Sequence, residues 1–301
     1  MLDAVTATTR VARDVRATVW TYLRLTKPRI VALLVITTIP AMIMAEGGLP
    51  SLWLMLATVV GGSVVAGGAN AMNMYFDRDI DGLMLRTRGR PLPAGQVEPE
   101  KAAVFGMLMG ATGFVFLDLG VNLLAACLTL GAFAFYVVVY TLLLKRTTPL
   151  NIVIGGAAGA MPPVIGWAAV TNELSVAALI MFAIVTAWTP PHFWALSINY
   201  SSDYKRAGVP MLPVVSGPAE TRRQIFLYSL VLVGISLLLA LWGGAGTIYL
   251  AAALVLGGGF VYYAARLWLS DSAKPAAALF RYSIVYLALL FSAIALDALV
   301  R

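Results

Sequence analysis

The sequence contains one cysteine, one histidine and few charged residues. Cys127 stands alone in an apolar run, which excludes a disulfide framework, a cysteine zinc site and a covalent haem-attachment motif. Only 12% of the 301 residues are charged, whereas a soluble domain carries about 25%. The hydrophobic fraction is 60%. These proportions exclude an ordinary soluble domain and predict an all-α, polytopic membrane protein.

Nine apolar segments are long enough to cross a bilayer, which takes about 20 helical residues. We expect the membrane helices near residues 29–45, 51–76, 101–118, 122–144, 151–170, 174–199, 222–242, 247–268 and 279–299. Between them, long basic loops alternate with short loops that are poor in charge. The sequence therefore predicts nine transmembrane helices in one domain.

The positive charges are distributed unevenly between the two sides of the membrane. Of the 21 Lys and Arg residues, all but Arg301 lie at the amino terminus or in the alternate basic loops. By the positive-inside rule, the amino terminus and these loops face the cytoplasm, and the carboxyl terminus faces the opposite side. The net charge of +7 therefore follows from topology. We expect a multi-pass protein of a prokaryotic inner (plasma) membrane, with the lipid bilayer as a partner and no nucleic-acid partner.

The first 28 residues differ from the rest of the chain because they lack an uninterrupted apolar core, so they do not read as a secretory signal. Two aspartates disfavour a mitochondrial presequence. Apolar residues at helical spacing predict an interfacial amphipathic helix: Val11, Val15, Val19 and Leu23. We therefore divide the chain into a cytoplasmic or interfacial segment, 1–28, and a nine-helix domain, 29–301.

A polar motif follows the second apolar segment. Asn73, Asp77 and Asp81 recur every four residues, which places their side chains on one face of a helix. Carboxylates this close repel one another, so the face favours divalent cations. Arginines suited to diphosphate oxygens follow at Arg78, Arg86, Arg88 and Arg90. A solvated loop held by salt bridges explains the same charges, but the position at the end of a membrane segment favours a magnesium diphosphate site.

A second polar motif follows the sixth apolar segment. Asn199 and Asp203 repeat the spacing of Asn73 and Asp77, and each motif runs on to a Leu-Pro pair in a basic loop. Both loops lie on the same side of the membrane by the charge pattern. We therefore expect the two motifs to face each other across a central cavity that opens to the cytoplasmic side.

The single histidine, His192, precedes Asn199 by seven residues and Asp203 by eleven. A continuous helix would place all three on one face, with Trp188 one turn earlier on the same side. An ionisable residue inside a membrane segment is a functional candidate, so we assign His192 and Trp188 to an acceptor pocket deeper than the metal site. The alternative is that His192 caps backbone groups freed by the two prolines before it.

These motifs resemble those of a known family. Asn73-x3-Asp77-x3-Asp81, followed by Arg86-Thr87-x-x-Arg90-Pro91-Leu92, resembles the first aspartate-rich motif of the UbiA intramembrane prenyltransferase superfamily. Three further stretches are similar to the members that farnesylate haem: Leu25 to Arg29, Thr189 to Leu196 and Asp203 to Pro213. Members that act on aromatic acids carry aspartate where this chain has Asn199, which implies a looser or water-mediated metal contact there.

The resemblance implies a magnesium-dependent transfer of farnesyl from farnesyl diphosphate to a vinyl group of haem B, with addition of water to give haem O. It implies that Mg²⁺ is held by Asn73, Asp77, Asp81, Asn199 and Asp203. It implies that the diphosphate is bound by Lys27, Arg78, Arg86, Arg90, Lys145 and Arg146. The residues with catalytic roles would be Asp77, Asp81, Asp203 and His192. Haem B is then a substrate, and a downstream haem A synthase is a candidate partner.

Two other functions fit parts of the sequence. A prenyltransferase of the same fold could use another tetrapyrrole or a quinone precursor as the acceptor, although the His192 stretch argues against the quinone. A haem-handling membrane protein or a transporter without chemistry is the alternative from a different class. Charged residues inside several spans, or a path to both faces, would favour that class, and the sequence has neither.

Overall fold

The computed structural model describes residues 16–270 and 272–301, and in these ranges the secondary structure is helical. Nine helices there are long and apolar enough to cross a membrane. They are α1 (Pro28–Glu46), α2 (Leu52–Asp81), α3 (Pro99–Gly120), α4 (Leu123–Leu144), α5 (Asn151–Thr171), α6 (Val176–Asn199), α7 (Gly217–Leu241), α8 (Thr247–Trp268) and α9 (Lys274–Val300). This confirms the predicted number of spans.

The boundaries differ from the predicted ones mainly on the side of the basic loops. Helix α2 continues to Asp81, five residues beyond its predicted end, so the whole first motif is helical. Two short helices, Ser201–Arg206 and Leu212–Val215, lie in the loop after α6. Residues 16–25 are also helical, whereas the first half of the predicted amphipathic segment lies outside the described residues.

The helix starts follow two chemical patterns, one on each side of the bundle. On the side of the short loops, polar side chains accept hydrogen bonds from the first turn: Ser51 for α2, Asn122 for α4 and Ser175 for α6. These are preferred N-cap residues because they satisfy otherwise unpaired backbone donors. On the side of the basic loops, α1, α3, α7 and α9 begin with proline in the first turn, where its missing N–H costs nothing.

Small residues bring α2 and α3 into backbone contact. A Cβ atom at Gly68 would lie 2.6 Å from the carbonyl oxygen of Gly106, and one at Gly106 would lie 2.9 Å from the carbonyl oxygen of Gly68. Side chains larger than hydrogen would therefore force the helices apart. Close packing through glycine is typical of membrane helices, and here it fixes the helix that carries the first motif.

Helix α4 widens as it approaches the basic side. From Phe135 to Leu144 its hydrogen bonds are of π-helical type, and the last one runs from the Lys145 N–H to the Tyr140 carbonyl at 2.9 Å. The Thr141 hydroxyl also donates to the Tyr136 carbonyl at 2.8 Å. Such π-turns are rare and often lie at functional sites. This one sets the direction of the side chains that α4 presents to α2.

Helices α6 to α9 share the largest buried apolar cluster. Polar contacts lock the helices in register, because Tyr286 of α9 pairs with Ser236 of α7 at 2.8 Å. At the far end, the buried carboxylate of Asp297 accepts a hydrogen bond from the Gly246 N–H at 2.6 Å, which caps the start of α8. Helix α9 is therefore held both at Tyr286 and near its carboxyl end at Asp297. These contacts fix the side chains that it directs toward α6.

Candidate active site

The first motif lies on one buried face of α2, as its spacing predicts. Asp77 and Asp81 are fully buried, and Asn73 is 3% exposed. The Asn73 amide donates to Asp77 Oδ2 at 2.8 Å and to the Thr141 hydroxyl at 3.0 Å. The widened turn of α4 thus contacts the first residue of the motif directly.

Each polar group of this face is paired with a cation from another part of the chain. Lys145 Nζ lies 2.5 Å from Asp77 Oδ2, and Arg90 Nη1 lies 2.6 Å from Asp81 Oδ2. Lys27 Nζ donates to Asn73 Oδ1 at 2.7 Å. Buried carboxylates require such partners, because an unpaired charge in the interior costs several kcal/mol or more.

Lys27 is held in an unusual backbone conformation. Its φ of 51° and ψ of 63° lie in the left-handed region, which costs of order 1–3 kcal/mol for a residue other than glycine. The Asn70 amide fixes the segment by donating to the Thr26 carbonyl at 3.0 Å. Desolvation lowers the pKa of Lys27 well below its usual value, and the positive charges of Arg90 and Lys145 lower it further. An anion bound at this point would favour the charged ammonium.

The basic loop after α2 is anchored at both ends. The Thr87 hydroxyl donates to the Asp81 carbonyl at 2.9 Å, which folds the loop back over the helix terminus. From the amino-terminal segment, Arg24 donates to the Gly89 carbonyl at 2.7 Å. These contacts bring Arg90 over the acidic face.

The second motif meets the first through Asp203, which is 4% exposed. Its Oδ2 accepts a hydrogen bond from the Arg86 backbone N–H at 3.3 Å, and its other oxygen is paired with Arg206. The Arg86 guanidinium in turn reaches the Tyr204 hydroxyl at 3.4 Å. Burial raises the pKa of Tyr204, which keeps this hydroxyl neutral. Asp203 therefore contacts the loop that follows the first motif. That the two motifs face each other across a cavity stays a prediction.

The expected common face of His192, Asn199 and Asp203 is wrong. Helix α6 ends at Asn199, Tyr200 leaves the helical conformation, and Asp203 belongs to the next short helix. The turn occurs where Asp203 bonds to the loop of the first motif, so a tertiary contact prevails over helical continuity. Asn199 is exposed and its amide donates back to the Ala195 carbonyl at 3.5 Å, away from Asp203.

Two of the arginines assigned to the diphosphate lie beside the acidic face. Arg78 donates to the Tyr75 carbonyl at 2.7 Å and stacks over that tyrosine ring. Arg146 makes a two-pronged contact with Asp79 at 2.7 Å and lies 3.9 Å from Asp77. Both arginines line a cleft of about 430 Å³ between α2 and α4. Asp79 is an exposed ion-pair partner, as its position on the helix predicts.

The oxygens of the acidic face fit a magnesium ion. Asp77 Oδ1 and Asp81 Oδ1 are buried and accept no hydrogen bond from the described part of the chain. Within residues 16–270 and 272–301, no three acidic, histidine or cysteine side chains gather as a complete metal cage. Mg²⁺ usually takes one or two carboxylates together with substrate phosphates and water, so two free carboxylate oxygens match its needs.

His192 lies in a separate, neutral environment. Its ring stacks between Trp188 and Phe280 at centroid distances of 4.2 and 4.7 Å, and its Nδ1 lies 2.6 Å from the Ser283 hydroxyl. The Trp188 indole donates to the Ser283 carbonyl at 2.8 Å. The ring nitrogen Nδ1 therefore bonds to a side chain of α9. The alternative, in which His192 caps the backbone groups of α6 that its prolines leave unpaired, is wrong for this nitrogen.

Comparison with known proteins identifies the family. The profile described as the UbiA prenyltransferase family matches residues 34–290. The chain belongs to the UbiA prenyltransferase family. A protoheme IX farnesyltransferase of Kineococcus radiotolerans is 51% identical, with 93% of this chain and 88% of that protein covered. One of Streptomyces avermitilis is 47% identical, with 98% and 99% covered.

Solved structures of more distant proteins share the UbiA fold. A structure of digeranylgeranylglyceryl phosphate synthase has a TM-score of 0.78 at 19% identity, over 94% of this chain and 99% of that one. A UbiA homologue from Archaeoglobus fulgidus bound to GPP and Mg²⁺ has a TM-score of 0.64 at 20% identity, over 91% and 99%. These similarities support the fold alone, in agreement with the nine membrane-spanning helices of the described residues.

We predict that Asp77→Asn lowers turnover roughly 100-fold or more, because one interaction that stabilises transition-state charge is lost without loss of volume. Turnover is measured at saturating Mg²⁺ in protein shown to be folded by gel filtration and circular dichroism. Asp118→Asn is the matched control, since the same change falls on an exposed carboxylate of α3, and it should keep most of the activity. If Asp77→Asn keeps more than about a tenth, Asp77 does not serve the metal.

Proposed function

We propose that this prenyltransferase transfers farnesyl from farnesyl diphosphate to a vinyl group of haem B, with addition of water, to give haem O. The observation that carries the proposal is the identity of 51% to a protoheme IX farnesyltransferase across 93% of the chain. The separation of a charged site at α2 from a neutral aromatic site at α6 and α9 supports it, since the two substrates need opposite environments.

The charged site suits the diphosphate of the farnesyl donor. Mg²⁺ would be held by Asn73, Asp77, Asp81 and Asp203, and it would neutralise charge on the diphosphate oxygens. The cations that now pair with this face have suitable positions to bind the leaving group. Lys145, Arg90 and Lys27 contact the first motif within 2.7 Å, and Arg86 joins the two motifs. Arg78 and Arg146 would serve at the entrance, where they line the neighbouring cleft.

Transfer begins when the allylic C–O bond breaks and its electron pair leaves with the diphosphate. The positive charge left on the farnesyl carbon needs an electron-rich, dry surrounding. The stacked rings of Tyr136 and Tyr140, 5.4 Å apart, lie on the same widened turn that contacts Asn73. We assign this pair to the cation. The vinyl group then forms the new C–C bond, and water captures the second cation and releases a proton.

The neutral site suits the acceptor. Trp188, His192 and Phe280 form a continuous aromatic stack that offers apolar surface to a flat macrocycle. His192 would ligate the iron or hydrogen-bond the acceptor, and Trp188 would form the wall behind it. Holding the vinyl group near the allylic carbon contributes to rate by proximity, an effect worth several kcal/mol when geometry is good.

We expect purified protein, incubated with farnesyl diphosphate, haem B and Mg²⁺, to convert haem B to a product heavier by one farnesyl group and one hydroxyl group. Mass spectrometry of the extracted haem measures it. Reactions without Mg²⁺ and with Asp77→Asn are the controls: the first should give no product, and the second should form it roughly 100-fold more slowly. Prenylation of an aromatic acid in place of haem would refute the assignment of the acceptor, and no transfer to any acceptor would favour a non-catalytic role.

We also propose that the catalytic loops face the cytoplasm of a prokaryotic cell and that residues 1–28 form an interfacial segment. The support is the charge asymmetry between the loops. The central cavity between the two motifs would open on that side, where soluble diphosphate is available.

Cysteine labelling tests this orientation. In a Cys127→Ser background, Gly89→Cys and Gly48→Cys each place a thiol where an added Cβ has nothing within 4 Å. We expect an impermeant maleimide added to intact spheroplasts to label Gly48→Cys only, and to label Gly89→Cys after lysis. Labelling of both positions before lysis would contradict the proposed topology.

A further inference from the structure

Ser283 has a contact pattern that the proposed reaction does not itself use. It is fully buried on α9, and its hydroxyl lies 2.6 Å from His192 Nδ1 on α6. The same hydroxyl lies 2.7 Å from the carbonyl oxygen of Phe280, three residues earlier. The 2.7 Å contact is a normal O–H···O hydrogen bond, and the 2.6 Å contact is slightly shorter than a usual N–H···O hydrogen bond. One oxygen therefore makes two hydrogen bonds at once.

The proton count of this group fixes the state of the histidine. A carbonyl oxygen only accepts, so the contact between Ser283 and Phe280 uses the single hydroxyl proton. The contact with His192 then needs a proton from the ring. With Nδ1 protonated, both contacts are satisfied at once: the ring N–H donates to the Ser283 oxygen, whose own proton goes to the Phe280 carbonyl. In neutral imidazole only one nitrogen is protonated, so Nε2 keeps a free electron pair.

The surroundings prevent the ring from turning to another arrangement. Trp188 and Phe280 stack on its two faces, with interplanar angles of 19° and 27°. The Trp188 indole donates to the Ser283 carbonyl, so the same residue of α9 holds both the ring and its stacking partner. His192 as a residue is only partly buried, whereas Trp188 and Ser283 are buried. Part of the residue therefore remains accessible after its Nδ1 edge is taken.

We infer that Ser283 is a positioning residue that holds His192 as the Nδ1–H tautomer and so leaves the Nε2 electron pair for the acceptor. A haem iron, or a hydrogen-bond donor on the acceptor, requires such a pair. This inference rests on the proposed function, in which His192 serves the acceptor. Partners of this kind on a metal-bound histidine typically contribute 10- to 100-fold in affinity, by fixing the tautomer and raising the basicity of the ligand, in order-of-magnitude terms.

The tautomer is directly measurable because the chain has one histidine. Protein labelled with ¹⁵N-histidine gives one pair of ring nitrogen signals, without any assignment problem. We expect a protonated, pyrrole-type signal for Nδ1 and an unprotonated, pyridine-type signal for Nε2 in the protein without haem. Ser283→Ala should shift the ring toward the other tautomer. A protonated Nε2 in the unmodified protein would overturn the inference, whatever the acceptor is.

Haem binding tests the functional consequence. Ser283→Ala should weaken haem B affinity and raise the KM for haem about 10- to 100-fold, with little change in the KM for farnesyl diphosphate. Ser283→Thr keeps the hydroxyl and should restore most of the affinity. Ser229→Ala is the matched control, because Ser229 is equally buried but bonds only within its own helix, to Ile225. Equal loss in Ser229→Ala, or none in Ser283→Ala, would overturn the inference.

His192→Ala separates this inference from the function beneath it. Weakened haem binding in His192→Ala, with the Soret band of the bound haem shifted, supports the acceptor role of His192. Full haem affinity in His192→Ala would refute the acceptor role of His192. The ring nitrogen signals of the unmodified protein would still report the tautomer. If only the tautomer test fails, the positioning role of Ser283 is refuted. The proposal that the protein farnesylates haem still stands.

Discussion

The pairing of two fully buried carboxylates of α2 with cations from outside that helix is the constraint on which the site depends. Asp77 pairs with Lys145 after α4, and Asp81 pairs with Arg90 in the loop after α2. Removing one partner would leave an uncompensated buried charge, which is more costly than the pair. The pairs therefore tie α2, α4 and the basic loop together. A magnesium diphosphate carries both signs of charge, and we propose that it would exchange for these pairs: the metal would take the carboxylates and the diphosphate would take the cations.

The other half of the molecule is built on neutral contacts. His192 is held by two aromatic rings and a serine, and the helices around it are joined by hydrogen bonds between uncharged groups such as Ser236 and Tyr286. A neutral environment does not compete for the diphosphate, and it suits an apolar macrocycle. In the proposed function, the charged site would hold the diphosphate donor and the neutral site would hold the acceptor, so the two substrates would have distinct places in a single bundle.

Local periodicity made part of this arrangement predictable from the sequence. The four-residue spacing correctly placed Asp77 and Asp81 on one face, and hydropathy with charge correctly gave nine spans. The contact of Asp203 with the first motif followed from topology. Features set by tertiary contacts were not predictable. The turn at Tyr200 and the π-helical end of α4 depend on neighbouring elements, and the Ser283–His192 pair joins residues that are 91 positions apart. No spacing rule predicts such a pair.

Calorimetric titration of Mg²⁺, with and without an unreactive thiodiphosphate analogue of farnesyl diphosphate, tests the exchange of charges most directly. Either ligand alone would break the Asp77–Lys145 and Asp81–Arg90 ion pairs and would compensate only one of the two charges of each pair. The two ligands together would compensate both charges. The account predicts that the analogue tightens Mg²⁺ binding about 5- to 150-fold, and that Mg²⁺ tightens analogue binding by the same factor. Equal Mg²⁺ affinity in the presence and absence of the analogue would contradict it.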